Sequence, residues 1–213
     1  MTRFAGLLVL LLGLTPARAA AEQSPREVVN ETVTAAIAVL QDRSLSTAEK
    51  RTRLEHIVLE HVDFDVLARL VLAQSWNRFS DPERATFMAE FKRHLSLTYG
   101  NRIEDYRNEH VEIIGERDEV RGDHTVRTKI VRDGPNDIDV DYRLRARDGT
   151  WRIIDFIIEG VSLVANYRAQ FQEVLDNGGP DRLIHQLQEK NAHGQPLDDH
   201  PKTSSWGGGR VPA

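Results

Sequence analysis

The chain has 213 residues, with 28 Lys and Arg against 33 Asp and Glu, a formal net charge of −5 and no cysteine. An acidic surplus excludes phosphate neutralisation as the main source of affinity, so nucleic acid is not an expected partner and bare anionic headgroups are a poor one. Without cysteine there are no disulfides, no thiol catalysis and no zinc–thiolate sites, and stability has to come from burial.

The N-terminus has the layout of an export signal. Met1-Thr2-Arg3 is a basic start and Ala5 to Leu14 an apolar run. Thr15 to Ala21 is rich in small residues, with Ala17-Arg18-Ala19 in the A-x-A pattern. The apolar run is short of the roughly 20 residues that span a bilayer, and no cysteine follows it to carry a lipid anchor. Residues 1–19 are therefore expected to be a signal peptide, cleaved between Ala19 and Ala21. Loss of Arg3 and Arg18 with it takes the net charge from −5 to −7.

Helix starts come next. Ser24-Pro25-Arg26-Glu27 combines an N-cap, a proline in the first turn and a capping-box glutamate, ahead of the stripe Val29, Val33, Ile37, Leu40. Ser46-Thr47-Ala48-Glu49 repeats the box before Leu54, Ile57, Val58 and His61. Asp63 can cap a third helix carrying Leu67, Leu70 and Val71. Ser80-Asp81-Pro82-Glu83 opens a longer one with Phe87, Met88, Phe91, Leu95, Tyr99, Ile103 and Tyr106 on its apolar face.

Near His110 the period changes from helical to alternating. Val111–Arg117, Thr125–Arg132, Ile138–Ala146 and Thr150–Ile158 read as four strands. The turn sequences Asp133-Gly134-Pro135-Asn136 and Arg147-Asp148-Gly149 pair consecutive strands antiparallel. Ile138, Val140, Tyr142 and Leu144 alternate with charges, which predicts one covered and one wet face. Trp151, Ile153, Ile154, Phe156, Ile157 and Ile158 load both faces of the last strand, which predicts burial on both sides. Gly160-Val161-Ser162 leads into a helix bearing Leu163, Val164, Tyr167, Phe171, Val174 and Leu175. Gly178-Gly179-Pro180-Asp181 ends it and starts a short last helix with Leu183, Ile184 and Leu187. Residues 191–213 are poor in apolar side chains and read as a disordered tail. The expected architecture is one α+β domain over residues 24–190. N-terminal helices pack on a mostly antiparallel meander sheet of about four strands, and C-terminal helices follow.

The search for chemistry returns little. His56 and His61 are five apart, a spacing that does not stack two ligands on one helix face, so no metal site is expected. Asp63 and Asp65 fit capping and helix-dipole chemistry. No G-x-S-x-G, P-loop or G-x-G-x-x-G is present. Asp155, in the doubly apolar strand, is the one carboxylate expected in low dielectric. It would serve as a raised-pKa acid or, more simply, be partnered by backbone or by an arginine such as Arg168. The remaining surplus is apolar, and core and cavity wall are written with the same residues.

Asp148-Gly149-Thr150-Trp151, Asp155, and Glu159-Gly160-Val161-Ser162-Leu163-Val164 carry a further signal. So do Ala68-Arg69-Leu70-Val71-Leu72 with Trp76, Pro82-Glu83-Arg84, Phe87, Phe91, Leu95, Tyr99-Gly100 and Tyr106, and Asp181-Arg182-Leu183-Ile184 with Leu187. Together, over roughly Ser24 to Lys190, they resemble the MlaC family of periplasmic phospholipid-binding proteins, also known as toluene-tolerance or ABC-transporter auxiliary components. Two departures stand out: Ala73 where the family usually has glycine, expected to alter a helix turn near the pocket mouth, and Gly179-Pro180 before Asp181.

The resemblance implies a monomeric carrier in the periplasm, with no cofactor and no enzymatic activity. It would hold phospholipid acyl chains in an apolar cavity between helices and sheet. Its implied partners are an outer-membrane lipoprotein complex and an inner-membrane ABC transporter with an MCE-domain protein, and its implied role is to maintain outer-membrane lipid asymmetry. A hopanoid-associated branch leaves the cargo open, and a cargo-free adaptor or an enzyme of the cone-shaped α+β type are the other readings. By apolar phase and family position, the expected lipid-binding residues are Leu70, Phe91, Leu95, Tyr99, Tyr106, Val140, Tyr142, Ile153, Phe156, Val161, Leu163, Val164, Tyr167 and Phe171.

Overall fold

The computed structural model describes residues 23–100, 106, 108–132 and 137–194. The leader, the Asp133–Asn136 turn, Ile103 and the tail beyond Gly194 lie outside the described residues.

The helix starts are those the capping residues dictate. In α1 (Pro25–Gln41) the Glu27 N–H donates to Ser24 Oγ at 3.3 Å, while the Ser24 N–H donates to Glu27 Oε2 at 2.7 Å. Ser46 and Glu49 repeat this exchange at the head of α2 (Thr47–His61), at 3.3 and 2.8 Å. Asp63 Oδ1 accepts the Val66 N–H at 3.0 Å and opens α3 (Phe64–Leu72). A 3₁₀ turn, Ala73–Arg78, then leads to α4 (Asp81–Gly100), where the Ser80 N–H reaches Glu83 Oε2 at 2.7 Å.

The strands β1 (His110–Asp118), β2 (Asp123–Val131), β3 (Ile138–Arg147), β4 (Thr150–Ile158) and β5 (Val161–Ser162) form one antiparallel meander in chain order. The fifth strand is an addition to the four expected, because two residues carry no period-two signal. Two of the turns are tight. Asp148 (φ 52) with Gly149 (φ 75), and Glu159 (φ 49) with Gly160 (φ 79), are two-residue connections with both φ positive, the twist that matches a hairpin.

Residues Ile153, Ile154 and Asp155 are all buried, and a β-bulge explains the run. Leu144 faces Ile153 and Arg143 faces Asp155, which leaves Ile154 as the extra residue. The bulge shifts the alternation by one place. Ile153 and Phe156 therefore share the helix-covered face, where Phe156 lies opposite Tyr142 with ring centroids 5.6 Å apart. The apolar loading of β4 thus comes from a change of phase along the strand, in addition to cover on both sides. On the other face Arg127 stands opposite Asp141, and Lys129 opposite Asp139, as the wet face of β3 predicts. Asp123, almost fully buried, is clasped there by Arg143 and Arg145.

The helices cover the first face. α1 contacts β1, β2 and β4, while α3 packs on β4 and on α5. α5 runs from Leu163 to His193 with a break at Gly179, whose φ of 70 and ψ of −169 are open to glycine almost alone, so the expected end and restart are both present. Its first half buries Tyr167 and Phe171 against Phe87 and Phe91 of α4, with ring centroids 5.1–5.6 Å apart. Its second half continues to His193, beyond the expected limit at Lys190. Asn191 is buried because its amide donates to the Glu90 carbonyl at 2.9 Å and its oxygen meets His94 Nδ1 at 3.2 Å. A short apolar-poor stretch reads as tail, but here its polar side chain has buried partners.

Candidate lipid cavity

α2 has no buried residue of its own, and its main helix contact is α1. Its sequence nevertheless repeats at the helical period on the side turned to α4: Arg51, Leu54, Glu55, Val58, Leu59 and Val62. Facing them are Ala89, Lys92, Arg93, Leu95, Ser96, Leu97, Tyr99 and Gly100 of α4. Phe64 and Leu67 of α3, Phe156 and Ile158 of β4, and Leu163 at the head of α5 complete the wall of a cavity of about 720 Å³. That volume lies within the range of about 300–1,000 Å³ usual for small-molecule sites.

Within the cavity the side chains sort by depth. Val62, Leu67 and Leu163 are buried. Val58 and Leu59 are large apolar side chains left 37% and 43% exposed, and Glu55, Lys92 and Arg93 are exposed too, so these five mark the mouth. Ser96 Oγ donates to Glu55 Oε1 across the gap between α4 and α2. Lys92 Nζ sits 5.5 Å from the centroid of the Phe64 ring. Arg51 lies along Gly100, where a Cβ would stand 3.4 Å from its Nε, at ordinary contact distance.

The last wall residue, Leu163, is held from behind. Ser162 is the N-cap of α5, and its Oγ accepts the Ala165 N–H at 3.0 Å while donating to Asp155 Oδ2. The second Asp155 oxygen accepts the Val164 N–H at 3.0 Å. Burial pushes the Asp155 carboxyl above its usual range, opposed by these hydrogen bonds and by the charge of Arg143. Asp155 is therefore a buried carboxylate partnered by a hydroxyl and the backbone. Its partner is not Arg168, whose guanidinium instead donates to the Leu70 carbonyl.

Of the fourteen expected residues, Leu95, Tyr99, Phe156 and Leu163 line the cavity. Phe91, Tyr167 and Phe171 form the aromatic core, with Ile153 and Val164 beside it, and Val140 is buried. Leu70 and Tyr142 pack on that core from its edge, and burial pushes the Tyr142 phenol up to about 12. Val161 is exposed on β5. Tyr106 Oη donates to the Glu109 carbonyl at 3.1 Å and accepts from Gln41. For Phe91, Tyr167 and Phe171 the cause is that α5 fills the strongest apolar face of α4, and the cavity falls on the neighbouring, mixed face. The wall supplied by α2 was the missed part. Its signal was the 51/54/55/58/59/62 spacing, one step round the helix from the 54/57/58/61 stripe.

Ala73, the expected modifier of the mouth, is not among the lining residues. It caps α3 with φ 49 and ψ −124, a conformation that favours glycine. Among the described residues no group of three or more His, Asp or Glu is placed to hold a metal, and no helix is long and apolar enough to cross a membrane.

Fold and site together define an α+β domain built around an apolar cavity between two helices and the end of a sheet. Over residues 30–189 the chain matches the family model of the MlaC protein, and it belongs to that family. It is 26% identical over 184 residues to the toluene tolerance protein ttg2D of Pseudomonas putida, covering 83% of this chain and 84% of that one. It is 23% identical over 145 residues to the intermembrane phospholipid transport system binding protein MlaC of Haemophilus influenzae, covering 65% and 67%. A phospholipid-binding protein from Ralstonia solanacearum, solved in complex with a phospholipid, has the same fold. Its TM-score is 0.72 at 23% identity, over 82% of this chain and 99% of that one.

Proposed function

We propose that this chain is a periplasmic phospholipid carrier. It takes acyl chains into the cavity between α2, α4 and β4. It exchanges them between an outer-membrane lipoprotein complex and an inner-membrane ABC transporter with an MCE-domain protein, and so maintains outer-membrane lipid asymmetry. The observation that carries this reading is the cavity itself, about 720 Å³ with an apolar lining and charged groups at the mouth. Family membership, the phospholipid in the Ralstonia structure and the name of the Haemophilus relative support it. The signal-like N-terminus supports the compartment.

The physical case for a carrier is the cost of bare transfer. Each methylene is worth about 0.8 kcal/mol, so a diacyl lipid with roughly 30 of them loses on the order of 24 kcal/mol on entering water. Leu54, Val58, Leu59, Leu95, Tyr99, Phe156 and Leu163 are the residues proposed to replace the membrane around the chains. Binding acyl chains needs shape and apolar surface, which is why the site requires no catalytic constellation, and the protein acts as a carrier, not an enzyme.

The test is mass spectrometry of organic extracts from the purified protein, followed by uptake from vesicles after delipidation. Co-purified phospholipid and restored uptake are expected. Protein that emerges empty and stays empty overturns the reading in favour of a cargo-free adaptor, and a polycyclic lipid in the extract replaces phospholipid as the cargo.

A further inference from the structure

The charge at the cavity mouth runs against the charge of the protein. The chain as a whole is at −5, yet the cavity is lined by three cations, Arg51, Lys92 and Arg93, and by one carboxylate, Glu55, which already accepts a hydrogen bond from Ser96. Several surface arginines are matched: Arg78 with Asp176, Arg84 with Asp81, Arg147 with Asp63. Lys92 and Arg93, by contrast, form no ion pair among the described residues, and Lys92 has only the Phe64 ring for company. Both are exposed, so neither pays for desolvation, and both stand where the apolar wall gives way to water.

We propose that Lys92 and Arg93, with Arg51 behind them, form a headgroup site that prefers lipids of net anionic headgroup over zwitterionic ones. The inference rests on the carrier reading and adds a specificity to it. A phosphodiester emerging from the apolar wall meets the two cations, whatever the lipid. A zwitterionic headgroup then brings an ammonium group into the same positive field, with Glu55 the one carboxylate among the described lining residues to receive it. An uncharged headgroup such as glycerol brings no such penalty. Arg51 is the less suitable residue to test, because its side chain packs along Gly100 and its replacement would disturb the contact of α2 with α4.

The experiment offers delipidated protein mixed vesicles of equal phosphatidylglycerol and phosphatidylethanolamine with matched chains, and reads the bound lipids by native mass spectrometry. Exposed ion pairs each shift a ratio by about 1.4- to fivefold, so a preference for phosphatidylglycerol of about threefold or more is expected, shrinking at high salt. Lys92→Gln with Arg93→Gln should bring the ratio among the lipids that load close to one, and a wild-type melting temperature shows that the variant folds. At matched ionic strength, inorganic phosphate, lacking chains, should leave the ratio unchanged. A ratio of one in the wild type at full loading, a ratio the double variant does not move, or its loss to inorganic phosphate each overturns the headgroup site and leaves the carrier intact. Failure to load either lipid sinks the carrier reading, and this one with it.

Discussion

Ser162 Oγ lies 2.5 Å from Asp155 Oδ2, so the closing strand of the sheet holds the first turn of α5 through a side chain seven residues upstream. The contact spans the Glu159-Gly160 hairpin and sets where Leu163 stands in the cavity wall.

Asp155→Ala should destabilise the protein by about 1–3 kcal/mol, because the Val164 N–H and the Ser162 hydroxyl lose a buried acceptor. Asp155→Asn tests the ionisation separately. The folded-state carboxyl is raised above its usual 3.8, so the folded protein holds the proton more tightly than the unfolded chain. This group's contribution is therefore most favourable below the unfolded value and declines as pH rises through the folded one. Urea unfolding over that window should show the Asn variant gaining on the wild type as pH rises, and parallel profiles would count against the assignment.

Asp123 should behave with the opposite sign. Burial works against its ionisation, but the hydrogen bonds and charges of Arg145 and Arg143, at 2.6 and 2.7 Å, outweigh it and hold the carboxyl below its usual 3.8. Its stabilisation is present above the unfolded value and is lost as pH falls through the lowered folded one. In Asp123→Asn this acid-side loss should largely disappear, together with about 1–3 kcal/mol of stability at neutral pH. An acid-unfolding profile unchanged by the substitution would show that the clasp contributes nothing.

Ala73→Gly should stabilise the fold. Strain at a positive φ costs a non-glycine residue about 1–3 kcal/mol, against about 0.5–1 kcal/mol for the extra freedom of glycine in the unfolded chain. The expected net gain is about 0.5–2 kcal/mol, read as a rise in the denaturant midpoint. A fall in the midpoint would mean that the 3₁₀ turn after α3 tolerates alanine without strain.

Leu163→Asp should empty the cavity more than it unfolds the protein. The residue is 9% exposed and faces the cavity, so a carboxylate there can be hydrated through the space beside it. In a filled core the same unpaired charge would cost several kcal/mol, a large share of the roughly 5–15 kcal/mol of a domain. Thermal melting and bound lipid measured on one preparation separate the two outcomes: a variant that does not fold returns Leu163 to the core.

Truncation should tell Lys190 from Gly194. Ending the chain after Gly194 is expected to leave the melting temperature unchanged, because residues 195–213 are rich in Gly, Pro and polar side chains. Ending it after Lys190 removes Asn191, and with it the bonds to Glu90 and His94. That should cost about 1–3 kcal/mol. Equal melting temperatures for the two truncations would show that the last turn is dispensable.

The elements were legible in the sequence wherever a local signal marks them. Ser24, Ser46, Asp63 and Ser80 announce four helices, and the turn at Asp148-Gly149 announces the third hairpin. The site was legible only in part, because assigning a face to core or cavity depends on which helix arrives to cover it. Phe91 and Leu95 look alike along α4, yet Tyr167 and Phe171 fill the space beside Phe91, whereas Leu95 packs at the edge of the core and borders the cavity. The α2 wall was hidden for the complementary reason. A helix with no buried residue carries a weak stripe, and Arg51 and Glu55 break it further.

That weakly anchored helix has a kinetic consequence. The C-terminal end of α2 is fixed to the sheet, since the Asp63 N–H donates to the Ile153 carbonyl at 2.9 Å and Arg152 reaches the Glu60 carbonyl. Towards its N-terminal end, α2 is tied by Lys50 to the Leu40 carbonyl, by the Glu55–Ser96 hydrogen bond and by Arg51 along Gly100. Swinging that end outward loosens its packing on α1 and breaks a few polar contacts but exposes no fully buried α2 side chain, whereas parting α4 from α5 would expose the rings of Phe87, Phe91, Tyr167 and Phe171. The excursion expected to cost least is therefore a pivot of α2 about Val62. Amide hydrogens of α2 should exchange well before those of α5, and under the proposed carrier function the rate of that pivot, more than the depth of the cavity, would set how fast cargo changes hands.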